Sequence, residues 1–84
     1  MKRFLVLTLR RPDFDPAVVG PHYAHLDRLR AEGVLELAGP FADKTGGAYV
    51  LRAASLDEAR AIAFADPLHT SGASDVSVRE WNAA

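Results

Sequence analysis

The first predicted strand of the chain is apolar on both of its faces, and this limits the folds that can bury it. Residues 4–9 (FLVLTL) are rich in β-branched and aromatic side chains and precede the breaker Arg10-Arg11-Pro12. Alternation gives the strand two largely apolar faces, with Phe4, Val6 and Thr8 on one and Leu5, Leu7 and Leu9 on the other. A single layer of helices covers only one face of a sheet, so the second apolar face needs a cover of its own.

A helix that ends at Gly33 is predicted to follow this strand. Asp15-Pro16 has the pattern of a helix cap followed by proline in the first turn. Gly20-Pro21 interrupts any helix begun at Pro16, because Pro21 lacks a backbone N–H and clashes with an earlier carbonyl. We therefore expect either a short turn and then a helix from about Pro21, or a kinked helix.

Two short extended segments, residues 34–38 and 48–53, predict a β-hairpin. Gly46-Gly47 lies between them and is interpreted as part of the hairpin turn, because the pair is too short to form a phosphate-binding loop. In the first segment, Leu35 and Leu37 are expected on one face. The face that the helices leave uncovered is expected to include Tyr49, Leu51 and Trp81.

A capping box opens the second predicted helix, with Ser55 as the N-cap and Glu58 three residues later. This helix is expected to run to about Ala65 and to end at Asp66-Pro67, because the residue before proline avoids the helical conformation. Residues 76–81 then form the last predicted strand.

The resulting order of elements, β-α-β-β-α-β, predicts a ferredoxin-like α+β fold with four antiparallel strands and two helices on one face. The 84 residues suffice for a single domain, residues 1–84. Because the helices protect only one sheet face and the chain is short, we expect a homodimer that packs sheet against sheet. The alternative is a monomer with a somewhat apolar open face.

Charge and composition argue against several classes of partner. The formal net charge is -1, from 10 Lys+Arg and 11 Asp+Glu, which disfavours nucleic acid or an anionic membrane as the partner. No segment approaches the length of a membrane span, so no membrane partner is expected. The chain has no cysteine, which excludes disulfides, thiolate chemistry and cysteine-based zinc sites, and which fits a cytoplasmic location.

His22 is the most informative residue of the first predicted helix. At about 100° per residue, it falls on one stripe with Leu26, Leu29 and Gly33, and this stripe should face the core. An imidazole in line with leucines has two interpretations. It is either a histidine at the core edge whose ring nitrogens have protein partners, or a general acid/base or ligand-orienting group.

Asp66 is the expected partner of His22. It lies four residues after Ile62 and so continues the inward stripe of the second helix, at a C-terminus where the helix dipole disfavours an anion. Two antiparallel helices over one sheet face bring the start of the first near the end of the second. A carboxylate bonded to the imidazole would fix its tautomer and raise its basicity. A simple Asp-Pro helix stop is the alternative.

The other histidines are weaker candidates. His25 lies toward the flank of the first helix and is expected at the surface, and His69 is a second candidate partner for Asp66. The set of His22, His25 and Asp66 could in principle hold a divalent metal, but an i, i+3 histidine pair with a carboxylate is poor evidence by spacing alone. We therefore assign no metal site and no cofactor.

Three residues are candidates for binding a substrate. Arg10, with Arg11 beside it, could receive an anionic group, although basic residues after an edge strand are more often only solubilising. Gly39 and Pro40 would allow a ligand to approach the backbone closely. The predicted ligand is a small molecule that lies beside the helix ends.

The chain resembles the YciI-like (YCII-related) domain family over nearly its whole length. The matching residues are His22…Leu29…Ala31-Glu32-Gly33…Leu37-Ala38-Gly39-Pro40-Phe41, then Gly47…Ser55-Leu56-Asp57-Glu58-Ala59, then Asp66-Pro67…Gly72. The AEG-x₅-GPF segment and the Asp-Pro pair are together fairly specific. The resemblance implies a ferredoxin-like unit of the dimeric α+β barrel type. It also implies an active site that pairs the histidine at the start of the first helix, here His22, with the aspartate of the Asp-Pro motif, here Asp66.

The same resemblance implies proton-transfer chemistry on small, ring-derived molecules. One family member eliminates HCl from a chlorinated hydroxyhydroquinone, and related barrels include a muconolactone isomerase. The chain is accordingly predicted to be a small lyase or isomerase that uses a His22–Asp66 pair. The alternatives are a non-catalytic dimeric module that binds a small ligand or serves an accessory role, and a structural dimerisation domain. Residues 68–74 are more polar than in many members, which implies a more polar pocket wall.

Overall fold

Four strands form one antiparallel sheet, and the helices lie on one side of it. The computed structural model describes residues 1–84. The strands are β1 (Lys2–Arg10), β2 (Leu35–Pro40), β3 (Gly46–Ala53) and β4 (Ser74–Glu80), and the helices are α1 (Val19–Ala31), α2 (Leu56–Phe64) and α3 (Pro67–Thr70). The strand order β2-β3-β1-β4, with helical connections after β1 and after β3, confirms the predicted ferredoxin-like α+β fold.

The two-faced strand β1 lies inside the sheet, between β3 and β4. Phe4 and Val6 are fully buried on the face that the helices cover. Leu5 and Leu7 are half-buried on the opposite face. The predicted apolar character of both faces is therefore present, and the helices bury only one of the two.

The register of β3 places Tyr49 and Leu51 beneath the helices, so the prediction that they lie on the uncovered face is wrong. Tyr49 pairs with Val6 on β1. Leu51 pairs with Phe4, and both β3 side chains are almost fully buried. The pleat explains the arrangement: the charged side chain of Arg52 points to solvent, so the side chains next to it in β3 point to the core.

A β-bulge in β2 separates Leu35 from Leu37, which were expected on one face. Leu35 pairs with Leu51 and Leu37 with Val50, so β2 advances two residues where β3 advances one. The extra residue is Glu36, and after it the inward and outward positions of the strand are reversed. Leu35 consequently lies in the core, whereas Leu37 is 59% exposed on the other face. The strand also continues through Gly39-Pro40, beyond the predicted end at residue 38.

Helix α1 begins at Val19 and runs through Gly20-Pro21 without a break, so the expected start at about Pro21 is late by two residues. Pro21 is the third residue of the helix. The first four N–H groups of any helix lack an intrahelical partner, so a proline there removes no hydrogen bond. A 3₁₀ turn, Pro16–Val18, precedes α1, and the Asp15 side chain caps it by accepting a hydrogen bond from the Ala17 N–H.

Helix α2 begins at the predicted cap, where the Ser55 side chain accepts a hydrogen bond from the Glu58 N–H. Ala59 and Ala63 are fully buried, so this helix lies close to the sheet. One further helical turn, α3, follows Asp66 and leads into β4. None of the helices has the combination of length and apolarity needed to cross a membrane.

The sheet face without helices combines leucines with an ion-pair cluster. Leu5, Leu7 and Leu37 point to this face, and alternation along β4 places Trp81, which is half-exposed, on the same side. The carboxylate of Glu36 forms ion pairs with two arginines, at 3.1 Å from Arg3 and 2.7 Å from Arg52. Homodimerisation through this face stays a prediction.

Strands β1 and β3 approach each other closely at Gly46, the first residue of β3, and a substitution there tests this approach. A Cβ added at Gly46 would overlap the backbone carbonyl of Thr8, whereas a Cβ added at Gly39 on β2 would meet open space. We expect Gly46→Ala to lower the free energy of unfolding by about 1–3 kcal/mol, because a backbone atom cannot move aside cheaply. Urea denaturation measures the change.

Gly39→Ala is the matched control for this prediction, and we expect it to change the free energy of unfolding by less than about 0.5 kcal/mol. Equal losses for the two variants would show that the approach of Thr8 to Gly46 is not the constraint.

Candidate active site

Asp66 is a carboxylate with no exposed surface, placed where α2 ends and α3 begins. The sequence predicts that Asp66 lies at the C-terminus of the second helix, where the helix dipole disfavours an anion. The structure changes this picture, because the backbone of Asp66 is extended and its side chain caps α3 by accepting a hydrogen bond from the Leu68 N–H at 2.9 Å. The carboxylate thus meets the favourable end of a helical turn.

Three donors from three different elements satisfy the Asp66 carboxylate. Nδ1 of His22, from the first turn of α1, lies 2.9 Å from both Oδ1 and Oδ2. The Tyr49 hydroxyl, from β3, donates to Oδ2 at 3.0 Å. The Leu68 N–H donates to Oδ1. A buried charge is tolerated when its oxygens are hydrogen-bonded in this way.

The contact with Asp66 fixes the tautomer of His22. An ionised carboxylate only accepts hydrogen bonds, so Nδ1 of His22 carries the proton that it donates. In the neutral ring, Nε2 then holds the free electron pair, and no protein group forms a hydrogen bond with Nε2. The imidazole is therefore held at one nitrogen and free to accept a proton at the other.

The pKa values of the two buried acids, Asp66 and Tyr49, shift in opposite directions. Burial raises the pKa of the Asp66 carboxyl, but the hydrogen bonds from His22, the Leu68 N–H and Tyr49 outweigh burial, so the pKa is lowered. Burial, followed by the negative charge of Asp66, raises the pKa of the Tyr49 hydroxyl far above its ordinary value. Asp66 is therefore ionised at neutral pH, and Tyr49 keeps the proton that it donates.

His22 lines a partly open cavity of about 60 Å³, which we call the His22 cavity. A single water needs about 10–15 Å³ by this measure, so the space admits a small molecule. The residues that line it come from β1, the connection after β1, α1, the β2–β3 hairpin, α3 and the start of β4: Thr8, Arg10, Phe14, Val19, His22, Tyr23, Leu26, Ala38, Gly39, Pro40, Gly46, Gly47, Ala48, Tyr49, Leu68 and Ser74.

All three predicted substrate-binding residues line the His22 cavity. Arg10 lies at the end of β1 with its guanidinium 4.3 Å from the centre of the Phe14 ring. Gly39 and Pro40 belong to the end of β2. Arg11, the neighbour of Arg10, lies outside the cavity and pairs with Asp75 at 3.2 Å. The alternative role of the two arginines, as solubilising residues after an edge strand, does not apply because β1 is a central strand.

His25 is buried, so its predicted place at the surface is wrong. It is 4% exposed, with Nε2 3.2 Å from the Ile62 carbonyl oxygen and Nδ1 2.9 Å from the Arg28 guanidinium. The Arg28 guanidinium can only donate, so Nδ1 accepts and Nε2 donates to the carbonyl. Both ring nitrogens are taken, and His25 joins α1 to α2 instead of facing Asp66.

His69 does not bind Asp66 through its side chain. Its ring stacks on the Phe64 ring with 4.4 Å between centroids, and the residue is exposed. No set of three histidine, aspartate or glutamate side chains is grouped as metal ligands would be. The arrangement of His22, His25 and Asp66 that was weighed as a metal site therefore does not form.

Sequence reasoning missed two polar residues of the site, Tyr49 and Ser74. Tyr49 was expected on the opposite face, although the charged Arg52, three residues later, indicated which side of β3 faces solvent. Ser74 lies two residues before the last predicted strand, residues 76–81. It is instead the first residue of β4, lines the cavity and pairs with Arg10 on β1.

Three comparisons with known proteins bear on this site. Residues 3–82 match the YCII-related domain. The chain is 51% identical over 81 residues to the uncharacterized protein YjpA of Bacillus subtilis (strain 168), a match that covers 96% of this chain and 95% of YjpA. The fold of this chain is similar to that of the 5-chloro-2-hydroxyhydroquinone dehydrochlorinase TftG from Burkholderia phenoliruptrix AC1100, which was solved in complex with 2,5-dihydroxybenzoquinone. That similarity has a TM-score of 0.76 at 24% identity and covers 98% of this chain and 95% of TftG.

The Tyr49 hydroxyl gives the first test of the site. We expect Tyr49→Phe to raise the pKa of Asp66, because one donor to the carboxylate is lost, and to lower the free energy of unfolding by about 1.5–3 kcal/mol. A ¹³C NMR titration of the Asp66 carboxyl and urea denaturation measure the two effects. Tyr23→Phe is the control, since the Tyr23 hydroxyl has no hydrogen bond and is half-exposed; an equal effect there would contradict the assignment.

The lowered pKa of Asp66 also predicts the acid dependence of stability. The native carboxyl binds a proton less readily than the unfolded one, whose ordinary pKa is 3.8. The stability that Asp66 contributes is thus complete above that pH and is lost as pH falls through the lower native pKa. We expect the difference in unfolding free energy between the wild type and Asp66→Asn to shrink steadily below about pH 4. A constant difference down to about pH 2 would contradict the prediction.

Proposed function

The chain belongs to the YCII-related domain family, and we propose that it is a small enzyme of the lyase or isomerase type that moves a proton on a small, ring-derived molecule. The observation that carries this proposal is the contact of His22 Nδ1 with a buried carboxylate beside a cavity, 2.9 Å from both oxygens of Asp66. Such a pair is the arrangement that general acid/base catalysis uses.

The proposed roles follow from the geometry. Nε2 of His22 takes a proton from the substrate, and the imidazolium that forms lies against the Asp66 carboxylate, which stabilises its charge. In an isomerase, the same nitrogen returns the proton to another atom of the substrate. In a lyase, loss of the proton accompanies departure of a leaving group. Asp66 is a positioning residue, and Tyr49 holds Asp66 in place.

The structural relative supports this class of chemistry by analogy of fold. TftG is named as a dehydrochlorinase, and it is solved with a dihydroxybenzoquinone bound. Elimination of HCl from a ring is a proton transfer coupled to the loss of a leaving group, which a single acid/base pair can serve. The ring-sized ligand of that protein also agrees with a cavity that admits only a small molecule.

A non-catalytic module that binds a small ligand is the second candidate. One observation favours it: half of the residues that line the cavity are hydrophobic, which suits a site that only holds a small molecule. In that case His22 would hold a ligand without moving a proton. The homodimer and the cytoplasmic location are proposals that go with either function.

Hydrogen–deuterium exchange of candidate ligands separates the two functions. We propose incubating the protein in D₂O with a set of small hydroxylated quinones and unsaturated lactones, starting with 2,5-dihydroxybenzoquinone, and following the carbon-bound proton signals of each ligand by NMR. We expect His22→Gln to slow the catalysed exchange by about 10²–10⁴-fold and Asp66→Asn to slow it less, because the positioning carboxylate is lost and the base is kept.

His69→Gln is the control, because His69 lies outside the His22 cavity. We expect this variant to exchange protons at the wild-type rate. Binding of a ligand with no exchange in the wild type would instead identify a binding module. Exchange that persists unchanged in His22→Gln, with unchanged folding, would rule out His22 as the base.

A further inference from the structure

The charge of the His22 cavity is one-sided. Its lining includes the guanidinium of Arg10 and the imidazole of His22, and it includes no aspartate or glutamate. Asp66 lies behind the imidazole, fully buried and outside the lining. A small cavity with a cationic wall and no anionic wall favours a negatively charged ligand.

Arg10 has no acidic partner within the protein. Every ion pair of the protein involves other cations, and Arg11 beside it is the one that pairs with Asp75. The guanidinium of Arg10 lies instead over the face of the Phe14 ring at 4.3 Å. The ring positions the guanidinium at the cavity and leaves its N–H donors for a ligand.

Ser74 provides a second, independent observation at the same place. Its Oγ is the one buried side-chain polar atom of the protein without a hydrogen-bond partner, and the residue is 5% exposed. Ser74 lines the His22 cavity, and β-sheet pairing sets it directly beside Arg10. A buried hydroxyl without a partner is costly, and a ligand oxygen in the cavity would satisfy it.

We propose that the His22 cavity binds a small carboxylate, whose carboxylate group is received by the Arg10 guanidinium and the Ser74 hydroxyl while its carbon skeleton extends toward Nε2 of His22. This inference deepens the proposed function, since it names the substrate class for the same site. The hydrophobic residues of the lining, including Phe14, Val19 and Leu26, suit an unsaturated or ring skeleton next to that charged group.

Matched pairs of acids and amides test the proposal directly. The probes are benzoate, 2-furoate and cyclohex-1-ene carboxylate, each compared with its neutral amide by isothermal titration at low salt. We expect at least one acid to bind the wild type about 10-fold or more tightly than its amide, because charge-assisted hydrogen bonds exceed neutral ones. The proposal is overturned if no acid binds more tightly than its amide.

Substitutions assign the preference to the two residues. Arg10→Gln should bind acid and amide equally, and Arg10→Lys should keep part of the preference as a point charge without the planar fork. Arg11→Gln is the matched control and should keep the full preference, since Arg11 is outside the cavity. A full preference in Arg10→Gln would overturn the proposal.

Ser74→Ala distinguishes a ligand contact from a purely structural serine. It removes an unpartnered buried hydroxyl, so the ligand-free protein should melt at the same temperature or higher, while acid affinity falls several-fold. Ser77→Ala, on the exposed side of β4, should change neither quantity. Unchanged acid affinity in Ser74→Ala would remove Ser74 from the proposal.

The outcome separates this inference from the proposed proton transfer. His22→Gln should keep the preference for acid over amide and lose deuterium exchange. A wild type that prefers acids without exchanging their protons would uphold the carboxylate site and refute the enzyme. Exchange of neutral ligands without any preference for acids would uphold the enzyme and refute the carboxylate site.

Discussion

A single buried carboxylate connects the sheet to the helices at one end of this fold. Removing an ionised group from water costs far more than one hydrogen bond returns, so Asp66 is tolerated only because each of its oxygens has donors. Two of those donors come from α1 and β3, which are distant from Asp66 in sequence, and the third is the backbone N–H of Leu68, two residues away in α3. The position of His22 at the cavity is therefore determined by the same contacts that offset the burial of Asp66.

The order of elements and the two faces of β1 were predictable from local signals, but the faces of β2 and β3 were not. The order of elements follows from cap, turn and proline patterns such as Ser55–Glu58, which act within a few residues. The faces on which the β2 side chains lie depend instead on one extra residue, Glu36. The β-bulge at Glu36 moves each later side chain of β2 to the opposite face of the sheet. Nothing in the alternation of LELA marks that bulge, because the ion pairs of Glu36 with Arg3 and Arg52 form only in the assembled sheet.

The candidate site was predictable to the same extent. The inward stripes of two helices placed His22 and Asp66 toward one another, and the structure brings them into contact. Tyr49 and Ser74 belong to strands, where a shift of one residue moves a side chain to the opposite face. Their contributions depend on register, which pairs Tyr49 with Val6 and Ser74 with Arg10. His25 was misplaced for a related reason, since its burial depends on a carbonyl of α2 that only packing brings near.

In the proposed complex, with His22 protonated and an anionic ligand bound, the charges along the site alternate in sign. Asp66 lies on the far side of His22 from the cavity, so a proton taken up at Nε2 is balanced from behind without an anion on the ligand side. Arg10 then supplies the only other strong charge of the lining. With an anionic ligand bound and a proton on Nε2 of His22, the charges run negative, positive, negative, positive from Asp66 to Arg10, and each neighbour attracts the next in a poorly solvated space. A carboxylate in the lining would reverse that order, because it would repel the ligand and compete with Asp66 for the imidazolium.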